Sequence, residues 1–265
     1  MQPIAALPES TSRRIGFVLC DIDDTLTRNG FLLAQAYNAL WRLYQTGVKV
    51  IPVTGRPAGW CDMIIRQWPV DAVIGENGAF AMLRTAGGYD LSLHSSVAGE
   101  EVKRKLDGIR DFVLGKISGL KVAKDQAFRW FDLAFDFAED PPRFGMDTAV
   151  KIKELCEQKG AIAKISSIHV NTWFGDYSKL DMARELLSKH YTLTDREQRE
   201  RVFFCGDSPN DEPMFSYFPL SCGVENIRTF LEVMKNPPSF VTRTSHGEGF
   251  AEAAEIILTA HKGTE

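Results

Sequence analysis

Phe17-Val18-Leu19-Cys20-Asp21-Ile22-Asp23-Asp24-Thr25-Leu26-Thr27 is the stretch whose reading decides the fold. The apolar run over residues 15–20 has no polar alternation, which predicts a strand buried on both faces, as in a parallel sheet. It ends abruptly in acid. Open α/β sheets place their ligands at the carboxyl ends of such strands. Asp21 and Asp23 are two residues apart, so in an extended chain they project to the same side, about 7 Å from each other along it. That spacing suits one carboxylate that attacks a phosphorus and a second that handles the leaving-group proton. Asp and Thr here would also open a turn and cap the next helix. On this stretch alone both readings stand.

Working outward, Asn29-Gly30 marks a turn, and residues 33–44 carry apolar side chains at helical spacing, closed by Thr46-Gly47. Residues 48–53 read as a second buried strand that runs into Thr54-Gly55-Arg56-Pro57. A hydroxyl, a glycine and an arginine at a strand's carboxyl end, with proline opening a helix, can form an anion-binding corner. An N-capped helix with a surface arginine would read the same way. A helix over 57–68 and a strand over 71–74 follow, ending in Gly75-Glu76-Asn77-Gly78-Ala79. This alternation predicts βαβ units with all three loops on one edge.

The pattern changes near Gly87-Gly88. Amphipathic helices are expected over 99–114 and 147–159, and two-residue alternation predicts strands over 128–137 and 165–172. On the second strand Ser167, His169 and Asn171 share a face opposite Ile168 and Val170. That face is either a solvated outer surface or a surface that closes over a site. After residue 173 the first pattern resumes, with a helix opened by Lys179, a charged surface segment over 194–201 and a buried strand over 202–205. Gly206-Asp207-Ser208-Pro209-Asn210-Asp211 ends that strand, short strands are expected over 218–223 and 239–242, and a helix over 249–260. The predicted fold is α/β: a Rossmann-like parallel-sheet core over 1–86 and 174–265, with residues 1–13 a frayed tail. An α+β cap over 87–173 is inserted between the two core segments.

Composition agrees with a globular chain, at 44% hydrophobic and 25% charged residues over 265 positions. A net charge of -4 provides no basic footprint for nucleic acid. The five cysteines are odd in number and show no CxxC spacing, which points to a reducing compartment. Residues 1–14 contain no apolar signal core and no 18-residue apolar run occurs, so a cytoplasmic protein without membrane contact is expected.

Four loops carry polar groups in order: Asp21/Asp23, Thr54, Lys179 and Asp207/Asp211. Asp-Ile-Asp-Asp-Thr at 21–25, the strand-end Thr54, the helix-opening Lys179 and Gly-Asp-Ser-Pro-Asn-Asp at 206–211 together resemble the haloacid dehalogenase superfamily of phosphotransferases. A cap between the second and third motifs is similar to the type II branch, subclass IIB. That subclass includes Cof-like phosphatases and the sucrose-, trehalose- and mannosylglycerate-phosphate phosphatases. Thr-Gly-Arg-Pro at 54–57 and Glu-Asn-Gly-Ala at 76–79 resemble it as well.

The resemblance implies a Mg²⁺-dependent phosphomonoester hydrolase acting on a small phosphorylated metabolite, foremost a sugar phosphate. It assigns Asp21 as the nucleophile that forms an aspartyl-phosphate and Asp23 as general acid and then base. Thr54 would offer its hydroxyl to a phosphoryl oxygen, and Lys179 a positive charge. Asp21, the backbone carbonyl of Asp23, and Asp207 would ligate Mg²⁺, with Asp211 orienting the metal shell or Lys179. Gly55, Arg56, Asn77 and Asn210 are expected at the substrate, joined by His169 and Asn171 from the cap. Charge balance agrees, since a phosphate dianion entering among three carboxylates needs a hard divalent cation with it. The same motifs would serve a phosphomannomutase-like isomerase or a non-catalytic phosphate-binding module. Hydrolysis is preferred because it is the commoner outcome on this scaffold, and a binding module would more naturally have lost Asp21 or Asp23. A monomer or homodimer is expected.

Overall fold

The computed structural model describes residues 1–97 and 99–262. Six parallel strands lie in the order Gln2–Pro3, Phe240–Val241, Ser221–Gly223, Val202–Gly206, Phe17–Cys20 and Lys49–Pro52. The strand Phe17–Cys20 is flanked on both sides, and all four of its residues are buried. Phe17 and Leu19 pack into one apolar layer, Val18 and Cys20 into the other, which is why the run shows no polar alternation. The helices Ala34–Gln45, Ala58–Gln67 and His246–Lys262 cover one face. Lys179–Lys189 and Glu212–Tyr217 cover the other. In Ala34–Gln45 the buried residues Ala36, Leu40 and Leu43 recur at helical spacing. The core is a doubly wound α/β sandwich.

Beyond Lys49–Pro52 a parallel bridge from Val53 to Ile74 leads into an antiparallel extension of Ala72–Gly75, Phe80–Thr85 and Gly88–Leu93. The change of pattern at Gly87-Gly88 therefore falls on a hairpin turn. The first residues, expected as a frayed tail, are docked instead. Gln2–Pro3 pairs with Phe240–Val241, and Ile4 and Leu7 are buried.

The inserted segment builds a second, antiparallel sheet in the order Ile162–Ile165, His169–Trp173, Leu133–Asp136, Lys121–Val122. The helices Glu100–Leu114 and Met146–Glu157 pack on one of its faces around a separate apolar core that contains Phe135 and Val170.

Three local expectations are corrected. The predicted strand over 165–172 is two strands joined by a tight turn at 166–168, so Ser167 lies in the turn. The predicted strand over 128–137 shrinks to Leu133–Asp136, because the N–H groups of residues 130–132 are engaged by a distant carboxylate described below. The charged segment over 194–201 contains the helix Asp195–Arg201, opened by a capping box between Thr194 and Glu197. That Thr-x-x-Glu spacing was visible in the sequence. All five cysteines are buried free thiols. Among the described residues no helix is long and apolar enough to cross a membrane.

Candidate active site

The site sits at the carboxyl end of the central strands. Asp21 follows Phe17–Cys20 and is 5% exposed, its N–H donating to the Cys205 carbonyl at 2.9 Å. Lys179 opens the helix Lys179–Lys189, whose cap is Ser178. Its Nζ donates to Asp21 Oδ1 at 2.6 Å and to Asp211 Oδ1 at 2.9 Å. Gly78 makes this approach possible. Its φ is +105°, and a Cβ there would lie 2.1 Å from the Ser178 carbonyl oxygen. At the end of the strand Val202–Gly206, the N–H of Asp207 donates to Asp211 Oδ2 at 3.2 Å. A Cβ on Gly206 would sit 2.4 Å from that same oxygen. Thr25 Oγ1 donates to Asp207 Oδ1 at 3.1 Å, while Asp207 Oδ2 is buried with no partner.

Oxygens of Asp21, Asp207 and Asp211 gather within 4.8 Å of one another. Burial, against the pull of Lys179 and with Asp211 and Asp23 adding to it, pushes Asp21 up to about 8. Burial followed by Asp21 and Asp211 raises Asp207 well above the carboxylate range. For Lys179 burial acts downward, but Asp21 and Asp211 outweigh it and raise the ammonium. Three buried acids against one lysine leave a deficit of positive charge. Hard oxygen donors and the unpartnered Asp207 Oδ2 fit Mg²⁺. Asp21, Asp207 and Asp211 each have an oxygen placed to offer, and both oxygens of Asp211 also accept hydrogen bonds, from Lys179 and the Asp207 N–H.

Thr54, fully buried, accepts the Arg56 N–H at Oγ1 at 3.0 Å. Arg56, expected at the substrate, lines the cleft and engages carboxylates. Its Nε and Nη2 donate to Asp23, and Nη2 also donates to Glu139 Oε1 at 2.8 Å. Glu139 Oε2 lies 2.9 Å from His169 Nε2. Burial acts to raise Glu139, but His169 and Arg56 prevail and hold it at about 2.

The structure decides between the two readings of the cap face. His169 and Asn171 are each 3% exposed and line a cleft with Asp21, Asp23, Arg56 and Asn210, so this is not a solvated outer surface. Asn171 Nδ2 donates to Asp132 at 3.0 Å and Asn77 Nδ2 to the same oxygen at 3.5 Å. The Gly55 carbonyl accepts from Arg129 at 2.9 Å. The cleft measures about 10 Å³, room for about one water.

Glu76 had no role in the sequence reading. Its buried carboxylate accepts the N–H of Ala58, at the start of Ala58–Gln67, together with those of Trp130, Phe131 and Asp132 in the cap. No local pattern signals this, because the cap partners lie 54 to 56 residues away in the chain and Ala58 18 away.

Residues 18–113 match the family model described as haloacid dehalogenase-like hydrolase. No curated protein matches the chain. Solved structures do. The Thermoplasma acidophilum 0175 protein superposes with a TM-score of 0.69 at 19% identity, over 92% of this chain and 98% of its own. The C-terminal domain of the Candida albicans trehalose-6-phosphate phosphatase does so with a TM-score of 0.71 at 13% identity, over 98% and 99%. The Synechocystis sucrose-phosphatase, in complex with sucrose and phosphate, matches with a TM-score of 0.62 at 16% identity, over 92% and 98%. At these identities the likeness is one of fold.

Proposed function

We propose a Mg²⁺-dependent phosphomonoester hydrolase whose nucleophile is Asp21, since residues 18–113 match the haloacid dehalogenase-like hydrolase model and the chain shares its fold with a solved haloacid dehalogenase-like hydrolase of Bacteroides thetaiotaomicron and with a sucrose-phosphatase. The carrying observation is that Lys179 bonds both Asp21 and Asp211 beside an unpartnered buried oxygen of Asp207. Asp21 attacks phosphorus, the P–O bond to the leaving group breaks, and Asp23 gives its proton to the departing oxygen. Asp23 then takes a proton from the water that attacks the aspartyl-phosphate, which frees phosphate and restores Asp21. Mg²⁺, held by Asp21, Asp207 and the Asp23 carbonyl, would supply the positive charge that offsets the phosphoryl oxygens. Lys179 orients Asp21, and Asp211 holds Lys179. Thr54 Oγ1 already accepts from Arg56, which leaves its hydrogen for a phosphoryl oxygen.

The substrate proposed is a small sugar phosphate. Its support is the fold shared with a sucrose-phosphatase and a trehalose-6-phosphate phosphatase, and the polar side chains His169 and Asn171 over the site. A phosphate-release screen with Mg²⁺ over hexose phosphates, disaccharide phosphates, phosphoglycerates and nucleotides tests it, and a preference outside the sugar phosphates would overturn this class. Asp21→Asn keeps the shape but is a poor nucleophile and metal ligand. Turnover should fall at least about a hundredfold, and a loss under about tenfold would remove Asp21 from this role.

A further inference from the structure

We infer that Glu139 of the cap is a positioning residue for Asp23, acting through Arg56 when the cap is closed; the inference rests on the phosphatase reading above. Arg56 is 3% exposed and bonded from both sides of the seam between core and cap. On the core side its Nε lies 3.1 and 2.9 Å from the two Asp23 oxygens, and its Nη2 lies 2.7 Å from Oδ1. On the cap side Nη2 donates to Glu139 Oε1 at 2.8 Å, and Nη1 reaches Asp125 Oδ2 at 3.4 Å. The guanidinium also lies over the Trp60 ring, 4.5 Å from its centroid. A planar fork clamped at one edge and on one face can present its other edge in only one orientation. That edge is the one Asp23 grips.

Glu139 is itself built into the cap. Its N–H donates to Asp136 Oδ1 at 2.9 Å, and Asp136 ends the cap strand Leu133–Asp136. Its second carboxylate oxygen faces His169 on the neighbouring strand. The position of Glu139 therefore reports the position of the cap sheet. The cleft beneath His169 and Asn171 has space for about one water, too little for a phosphomonoester, so binding there requires the cap to move. Among the seam contacts, the Glu139 side chain is 32% exposed whereas Glu76 is fully buried. The Arg56–Glu139 pair spans core and cap with its cap member partly exposed, so movement of the cap separates it. Closure restores the chain His169–Glu139–Arg56–Asp23 at the moment when proton transfer to the leaving oxygen is required. Proton transfer is thereby coupled to the exclusion of water.

The experiment is a double-mutant cycle on the full chain with Mg²⁺, measuring kcat/KM for phenyl phosphate and p-nitrophenyl phosphate. Phenolate leaves poorly and needs the proton, whereas p-nitrophenolate leaves largely without it. Glu139→Ala should lower kcat/KM about tenfold to a hundredfold for phenyl phosphate and less than about threefold for p-nitrophenyl phosphate. In an Asp23→Asn background the same change should have an effect within about twofold, because the group it positions is gone. Glu139→Gln keeps the size without the charge and serves the same comparison should the alanine variant fold poorly. Equal losses on both esters, or an undiminished loss in the Asp23→Asn background, would overturn the positioning role and leave the phosphatase reading standing. Failure of the wild-type protein to release phosphate from either ester would overturn that reading and this inference together.

Discussion

At the scale of single residues, the central fact is one lysine inside a nest of acids. Lys179 is 5% exposed and bonds Asp21 and Asp211, themselves 5% and 0% exposed. Removing one partner of a buried ion pair leaves an uncompensated charge and typically costs about 3–5 kcal/mol. Lys179→Ala is therefore expected to destabilise the metal-free protein by about that amount, read by urea unfolding, and to abolish phosphate release. Mg²⁺ should recover part of the lost stability, since a cation supplies the missing charge. A variant as stable as wild type would show that the acids shed their charge without Lys179.

At the scale of elements, Glu76 ties the helix Ala58–Gln67 and the cap segment 130–132 to one carboxylate. Burial and then Asp132 push its pKa up to about 7 from 4.5, against the backbone hydrogen bond from Trp130 and the charge of Arg129. The folded protein thus binds a proton here that the unfolded chain has released. Stability from this group is complete below about 4.5 and is lost as pH rises through about 7. Between about pH 5 and about pH 8 the loss amounts to about 2–3 kcal/mol. Glu76→Gln cannot titrate, so the stability difference between wild type and variant should shrink by that amount over the same range. Urea unfolding of both at the two pH values measures it; contributions from Asp21 and Asp207 cancel because both proteins contain them, while that of Asp132, which faces Glu76, is part of the difference read. A pH-independent difference would show that Glu76 stays ionised throughout.

At the scale of the whole molecule, the apolar core of the sheet and that of the cap are joined across a largely polar seam. The cap has its own apolar cluster, and the junction mixes Arg56, Arg129, Asp125, Asp132, Glu139 and Glu76 with aromatic contacts of Phe80 to Trp130 and Phe131. The ion pairs and hydrogen bonds of this junction can exchange with water, whereas its aromatic contacts favour the closed arrangement. The proposed Mg²⁺ site, at Asp21 and Asp207, lies at the core end of this seam. At about a hundred times its Kd Mg²⁺ should add about 2.7 kcal/mol to folding. Thermal unfolding should then shift upward by several degrees with Mg²⁺, and Asp207→Ala should lose most of that shift. An unchanged Tm in both proteins would place the metal elsewhere.

The buried strands and the polar groups that end them are legible in the sequence, whereas the order of the strands in the sheet is not. The legible features are local: an apolar run without alternation is buried on both faces wherever it lies, and the loop after it must emerge at the sheet edge. So Asp21, Thr54, Lys179, Asp207 and Asp211 were legible before any contact was known. Only the tertiary structure decided what faces what across the insertion. Arg56 meets Glu139 83 residues away and Asp125 69 away. The alternation over residues 128–132 looked like a strand because period alone cannot reveal where N–H groups donate. Here those of residues 130–132 end on Glu76, and a backbone whose donors are held by a carboxylate from another domain has none left for a ladder.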